Sequence, residues 1–160
     1  MKQEGFSLFV SILTKRKIDL VCKIMKNIHA TCINLNSKGV LILGDSGSGK
    51  SDLALRLITM FSAKLVGDDR INIKKNNRKI IASSPDVLKG LLEVRGVGVI
   101  KINYKEETSV DLVIKLTSEK IERMPESLKY ELDGVSLPLF YLNPLEVSAP
   151  SKVVAMLSLL

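Results

Sequence analysis

Residues Gly44 to Ser51 read Gly-Asp-Ser-Gly-Ser-Gly-Lys-Ser, and residue types at this spacing can do phosphate chemistry. They fit G-x-x-x-x-G-K-[ST], the phosphate-binding P-loop. Gly44, Gly47 and Gly49 lack a β-carbon, so the backbone can turn tightly and aim several N–H groups at one point. Such a ring of N–H dipoles is an anion nest. Lys50 adds a mobile positive charge for the β- and γ-phosphates, and the Ser51 hydroxyl suits Mg²⁺. A helix starting here would direct its positive end at the same place.

Two further stretches carry reactive side chains. Ala63-Lys64-Leu65-Val66-Gly67-Asp68-Asp69 is a short apolar strand ending in adjacent carboxylates. In open α/β sheets, ligands sit at the carboxyl ends of strands, where paired acids can hold Mg²⁺ and accept a hydroxyl proton. Taken alone, Asp68-Asp69 reads equally well as a turn. In Leu92-Glu93-Val94-Arg95-Gly96-Val97-Gly98, a charged pair precedes Gly-x-Gly. Such a pair can bring a guanidinium and backbone close to phosphate. His29 is the sole histidine, and by itself a lone histidine is more often structural or superficial than catalytic.

The elements that must position these groups can be read from periodicity and turn residues. Gly39–Leu43 is an apolar run suited to a buried strand, and Ser51–Ile58 opens a helix with Asp52 in its first turn. Residues 27–35 read as a strand, joined by the Asn36–Gly39 turn to the P-loop strand as a hairpin. A second hairpin is expected between Arg70–Ile73 and Arg78–Ala82, turning at Asn76-Asn77. Ser84-Pro85-Asp86 looks like a helix start, with the helix running through Leu88, Leu91 and Leu92. Val110–Leu116 reads as a strand, and residues 117–131, charged and containing Pro125, as loop. Residues 134–142 suggest an edge strand or extended segment because of Pro138, and residues 149–160 a closing helix. Before all of these, Phe6, Phe9, Val10, Leu13, Leu20, Val21 and Ile24 lie near a helical stripe interrupted at Lys17. This segment reads as a packing or partner-binding helix rather than a targeting sequence.

Composition bounds the class. The 160 residues accommodate one domain with a real core, and 46% hydrophobic content excludes a disordered chain. With no Trp and few aromatics, the core must be aliphatic, which suits a parallel sheet flanked by helices. The net charge is +7, and residues 1–27 contribute six Lys/Arg against Glu4 and Asp19. Neither interleaved aromatics nor a helix-turn-helix pattern accompanies that charge, so a nucleic-acid partner is not expected. Cys22 and Cys32 lack metal or disulfide spacing and read as reduced thiols of a cytoplasmic protein. No run reaches 18 apolar residues, so no membrane span is expected.

Taken together in this order, His29, the P-loop, Asp68-Asp69 and Leu-Glu-Val-Arg-Gly-Val-Gly closely resemble the catalytic domain of HPr kinase/phosphorylase, in the short form of some α-proteobacteria. The resemblance covers about residues 27–150. It implies an α/β, P-loop NTPase-like fold with a phosphoenolpyruvate-carboxykinase-like sheet flanked by helices. Residues 27–160 would form the kinase domain, and residues 1–26 an extension of unassigned role. It further implies ATP-dependent phosphorylation of a serine on an HPr-type phosphocarrier protein with Mg²⁺, in many members also phosphorolysis, and a homo-oligomer, hexameric in the family. By the same resemblance, Gly44, Asp45, Ser46, Gly47, Ser48, Gly49, Lys50 and Ser51 bind nucleotide phosphates. Ser51 and Glu93 serve the metal, Asp68 takes the serine proton, Asp69 is its partner, and His29 stands near that acid. Arg95 contacts phosphate or anchors its loop. The residues themselves leave open a small-metabolite kinase and a non-catalytic nucleotide sensor.

Overall fold

The computed structural model describes residues 25–160; the apolar stripe of residues 6–24, and Cys22 with it, lies outside them. Eleven strands and two α-helices follow in the order β1 (Lys26–His29), β2 (Thr31–Leu35), β3 (Lys38–Leu43), α1 (Lys50–Phe61), β4 (Lys64–Gly67), β5 (Arg70–Asn76), β6 (Lys79–Ser83), β7 (Leu91–Val94), β8 (Gly98–Lys101), β9 (Glu107–Leu116), β10 (Leu128–Leu132), β11 (Val135–Leu142) and α2 (Ala149–Ser158). Nine strands form one mixed sheet, and β7 with β8 forms a separate ribbon.

The ten-residue β9 organises the sheet. Its first residues pair antiparallel with β6, its middle pairs parallel with β3, and its last residues pair parallel with β11. Three neighbouring strands, β3, β9 and β11, therefore run the same way and end on the same side. On the far side of β3, the chain passes twice between sub-sheets. β1 pairs with β5 and β2 with β4, so the β1–β2 junction at Ala30 lies beside the β4–β5 junction at Asp68-Asp69.

Strict alternation divides the core in two. On β3, Val40 and Ile42 face Leu53, Ala54 and Leu57 of α1 and Val153 and Leu157 of α2. Leu41 points the opposite way, into a cluster with Ile71, Ile73, Ile80 and Val113. Each fully buried Leu or Ile contributes roughly 1.5–3 kcal/mol relative to exposure, so β3 is fixed from both faces.

Some expectations need correction. The two-sided aliphatic burial that suggested a parallel sheet comes from helices on one face and an antiparallel layer on the other. Among the described strands, only the β3–β9 and β9–β11 pairs are parallel. Hairpin turns with left-handed residues at Asn36, Ser37, Asn77 and Asp133 reverse the chain, and α1 is the one α-helix among the described residues that crosses between strands, joining β3 to β4 on the far side of β2. The helix expected through Leu92 is one 3₁₀ turn, Asp86–Leu88. It ends before Gly90, whose φ of 70° breaks the helix and whose missing side chain admits Tyr104. Leu91 and Leu92 then belong to β7. Residues 128–132, within the stretch read as loop, form β10, and β11 has partners on both sides rather than being an edge. Pro138 lies outside the register with β9, so its missing N–H removes no bond to that neighbour.

Candidate active site

The P-loop connects the end of β3 to α1. Gly49 holds the helix N-cap position with φ of 97°, and a β-carbon there would press on Pro144. A β-carbon on Gly44 would lie 2.5 Å from Ser48 Oγ and 3.2 Å from Leu116 Cβ. The loop thus packs against the end of β9 as well as closing on itself. Below it, the Arg56 guanidinium of α1 donates to the carbonyls of Pro144 and Glu146 and pairs with Asp52, fixing the segment after β11 beside the loop.

Lys50 is buried, and its ammonium donates to Gly44 O at 2.9 Å, Asp45 O at 2.8 Å and His29 Nε2 at 3.0 Å. Burial holds this ammonium below the ordinary lysine value, opposed by the negative charges of Asp68, Asp69 and Asp45. An ammonium has only donors, so His29 Nε2 must accept. The proton of the neutral imidazole therefore sits on Nδ1, which lies 3.0 Å from both the carbonyl oxygen and Oδ1 of Asp69. Asp69 itself occupies the left-handed region, φ 67°, which turns its carbonyl and carboxylate toward the same histidine.

Asp68 is only 6% exposed. Its Oδ1 accepts from Thr31 Oγ1 at 2.6 Å, and the Ser51 hydroxyl stands 2.9 Å from both carboxylate oxygens. The structure therefore brings together four groups singled out from sequence, Lys50, Ser51, Asp68 and His29, with Asp69 at the rim. The adjacent strand junctions are the reason: β1 ends at His29, β2 begins at Thr31, and both face the two acids after β4.

Thr31 was missed by sequence reasoning. A signal existed, since it lies two residues from His29 in extended chain and so has the same parity. Arg95 reaches the loop from the β7–β8 ribbon: its Nη2 is 3.6 Å from where a β-carbon on Gly47 would stand. Glu93 is exposed on β7 opposite Val99, and its side chain forms no ion pair among the described residues. Asp45, Ser46 and Gly47 form the exposed lip of the loop, while the Ser48 hydroxyl is buried without a partner among the described residues.

A mixed sheet with a P-loop between strand and helix, and two carboxylates beside it, defines a P-loop NTPase-like domain. The family described as HPr Serine kinase C-terminal domain matches residues 19–148, and the chain belongs to that family. It is 35% identical over 123 residues to the HPr kinase/phosphorylase of Caldicellulosiruptor bescii, covering 69% of this chain and 39% of that protein. To the HPr kinase/phosphorylase of Lactobacillus johnsonii it is 30% identical, covering 80% of this chain and 42% of that one. The chain thus spans about two fifths of the length of these curated relatives. The structure of the Hpr(Ser) kinase/phosphatase from Coxiella burnetii superposes with a TM-score of 0.74 at 26% identity, covering 83% of this chain and 94% of that one. No helix among the described residues is long and apolar enough to cross a membrane.

Proposed function

We propose that this chain is an ATP-dependent serine kinase acting on an HPr-type phosphocarrier protein, with phosphorolysis as its reverse activity. One observation carries the proposal: Thr31 and Ser51 orient the Asp68 carboxylate beside the phosphate loop, while His29 links Asp69 to Lys50. Mere nucleotide binding needs no carboxylate held in this way.

In this reading the Gly44–Ser51 loop and Lys50 hold the β- and γ-phosphates of ATP, with Arg95 approaching from the ribbon. Phosphoryl transfer depends mainly on position and charge neutralisation. Lys50 supplies charge once it leaves the carbonyls of its own loop. Asp68 accepts the proton of the attacking serine hydroxyl, and the neutral Nδ1–H tautomer of His29 steadies Asp69. Ser51 Oγ and Asp68 are hard oxygen donors 2.9 Å apart, which fits Mg²⁺ shared with substrate phosphates. No cluster of three or more His, Cys, Asp or Glu suited to a metal occurs among the described residues, and Mg²⁺ typically needs only one or two carboxylates of its own. Glu93 is the further oxygen donor in this scheme. When bound, the ion would neutralise phosphate charge. A homo-oligomer and a basic surface that attracts an acidic carrier belong to the same proposal.

The test is transfer of labelled γ-phosphate from ATP with Mg²⁺ to the HPr-type carrier of the same organism, comparing wild type with Asp68→Asn. Transfer to a carrier serine that is lost in the variant is the expected result. ATP binding without transfer by wild type would sink the carrier-kinase assignment and favour a metabolite kinase or a sensor.

A further inference from the structure

Residues 70–79 hold five Lys/Arg and no Asp/Glu, and they build β5, its turn and the first residue of β6. Outside them and residues 1–27, acids outnumber bases in the chain, so this basic charge is local. Alternation sorts the side chains. Ile71 and Ile73 are fully buried in the second core cluster, so Arg70, Asn72 and Lys74 take the opposite face. The register extends that face to both neighbours. Arg70 stands opposite His29 and Asn72 opposite Asn27 on β1, while Asn76 stands opposite Lys79 on β6. Asn27 Nδ2 donates to Asn72 Oδ1 at 2.9 Å, as side chains on one face can.

Position ties this face to the candidate site. His29 belongs to it, and the same ring lies 3.0 Å from Lys50 Nζ. The face therefore meets the phosphate loop at one end and runs along β5 for about 20 Å, at about 3.3 Å per residue, to the turn at Asn77. Lys74, Arg78 and Lys79 are exposed and form no ion pair among the described residues. Arg70 lies 4.0 Å from Asp69, and a further acid, Glu107, stands at the β9 edge opposite Ser83. Lys75 Nζ donates to Asp133 O at 2.9 Å, which fastens the basic turn to the β10–β11 hairpin. Neither α1 nor α2 covers the face, since both pack on the first core cluster.

Resting on the kinase reading above, we propose that this face is the docking track for the protein that presents the serine, and that it selects a partner with an acidic surface beside that serine. A row of fixed positive charge leading into the site steers such a partner and sets its register, acting mainly on the rate of encounter. Nucleic acid fits less well, because neither β5, β6 nor β1 carries an aromatic side chain on which a base could stack. Recognition is then separate from the phosphate machinery: the loop and Asp68 serve any serine hydroxyl, and residues 70–79 choose which protein brings it.

Steady-state transfer from ATP to the HPr-type carrier of the same organism, with the full chain, tests this. The double variant Lys74→Glu with Lys79→Glu should raise KM for the carrier by about tenfold or more at low salt. It should leave kcat at saturating carrier and the affinity for ATP unchanged. Added salt should raise the wild-type KM and move that of the variant little, since exposed charges are screened. Lys74→Arg with Lys79→Arg should keep the wild-type KM, which separates charge from any loss of folding. A charge-reversed variant with wild-type KM and wild-type salt dependence overturns the docking track while the kinase reading stands. Retention of a single-stranded RNA by wild type, lost in that variant while KM for the carrier stays put, overturns it in favour of nucleic acid. No transfer by wild type overturns the kinase reading, and the track with it.

Discussion

The corner where β1–β2 meets β4–β5 and the β7–β8 ribbon both carry residues of the candidate site, yet they hold them in opposite ways. At the corner, Asp68 and Lys50 are buried and every charged atom has partners from other segments. On the ribbon, Glu93, Arg95, Val97 and Val99 are exposed, and two strands paired only with each other carry them. A pre-bonded group costs little reorganisation when substrate arrives, whereas an exposed arm gives reach and adaptability. On the proposed kinase reading, the corner would carry the chemistry and the ribbon would contact the ligand.

The largest effects are expected at the corner. Lys50→Met and Asp68→Asn should each lower phosphate transfer by about a thousandfold, within the range for a lost charge-stabilising or proton-accepting group, measured as single-turnover transfer. If Arg95→Ala costs as much, the contrast between corner and ribbon is broken. Next comes Thr31→Val, which leaves Asp68 with one donor fewer. It should cost about 1–3 kcal/mol of stability in urea unfolding and lower transfer by about tenfold. Arg95→Ala should change stability by no more than about 0.5 kcal/mol and act through nucleotide affinity.

A smaller effect follows from the burial of Lys50. Its pKa is lowered in the fold from the ordinary 10.5, so below the folded value the charged form costs stability. That cost fades as pH rises through the folded value toward 10.5, because there the unfolded chain binds a proton that the native chain does not. Raising the pH through this alkaline window should therefore increase the urea midpoint of wild type relative to Lys50→Met. A midpoint difference that falls or stays flat would contradict the assignment. Last, Cys32 is fully buried and burial pushes its thiol well up. In a Cys22→Ser background it should react with a thiol reagent only after denaturant unfolds the chain.

Much of the corner was legible because the P-loop fixes residue type, strand and helix within a dozen positions. Asp68-Asp69 was legible as a strand end, though only the fold shows why the buried member is Asp68. What stayed hidden depended on long-range contact: the parity of Thr31 with His29 was readable, but its bond to Asp68 across 37 residues was not. The false helix through Leu92 arose because Leu88, Leu91 and Leu92 satisfy a helical spacing, while Gly90 decided otherwise. The β10–β11 hairpin had a local signal, Asp133-Gly134, both with positive φ as a tight hairpin turn requires. The surrounding charge and Pro125 outweighed it. Membership of the P-loop class was readable, but the antiparallel second layer was not, because burial on both faces leaves the same apolar runs whatever covers them.

The pairing of β3 with β9 also bears on how the protein is made. The strand that presents the P-loop is joined to its later neighbour by contacts such as Gly39 N–H to Asp111 Oδ2, 72 residues apart. Until synthesis has passed β9, β3 has only its hairpin partner β2 and exposes one unpaired edge. Loop closure over that distance makes the step slow. The nascent chain therefore holds its phosphate loop on an unfinished sheet, and chaperone demand should be set by the delay between those two strands.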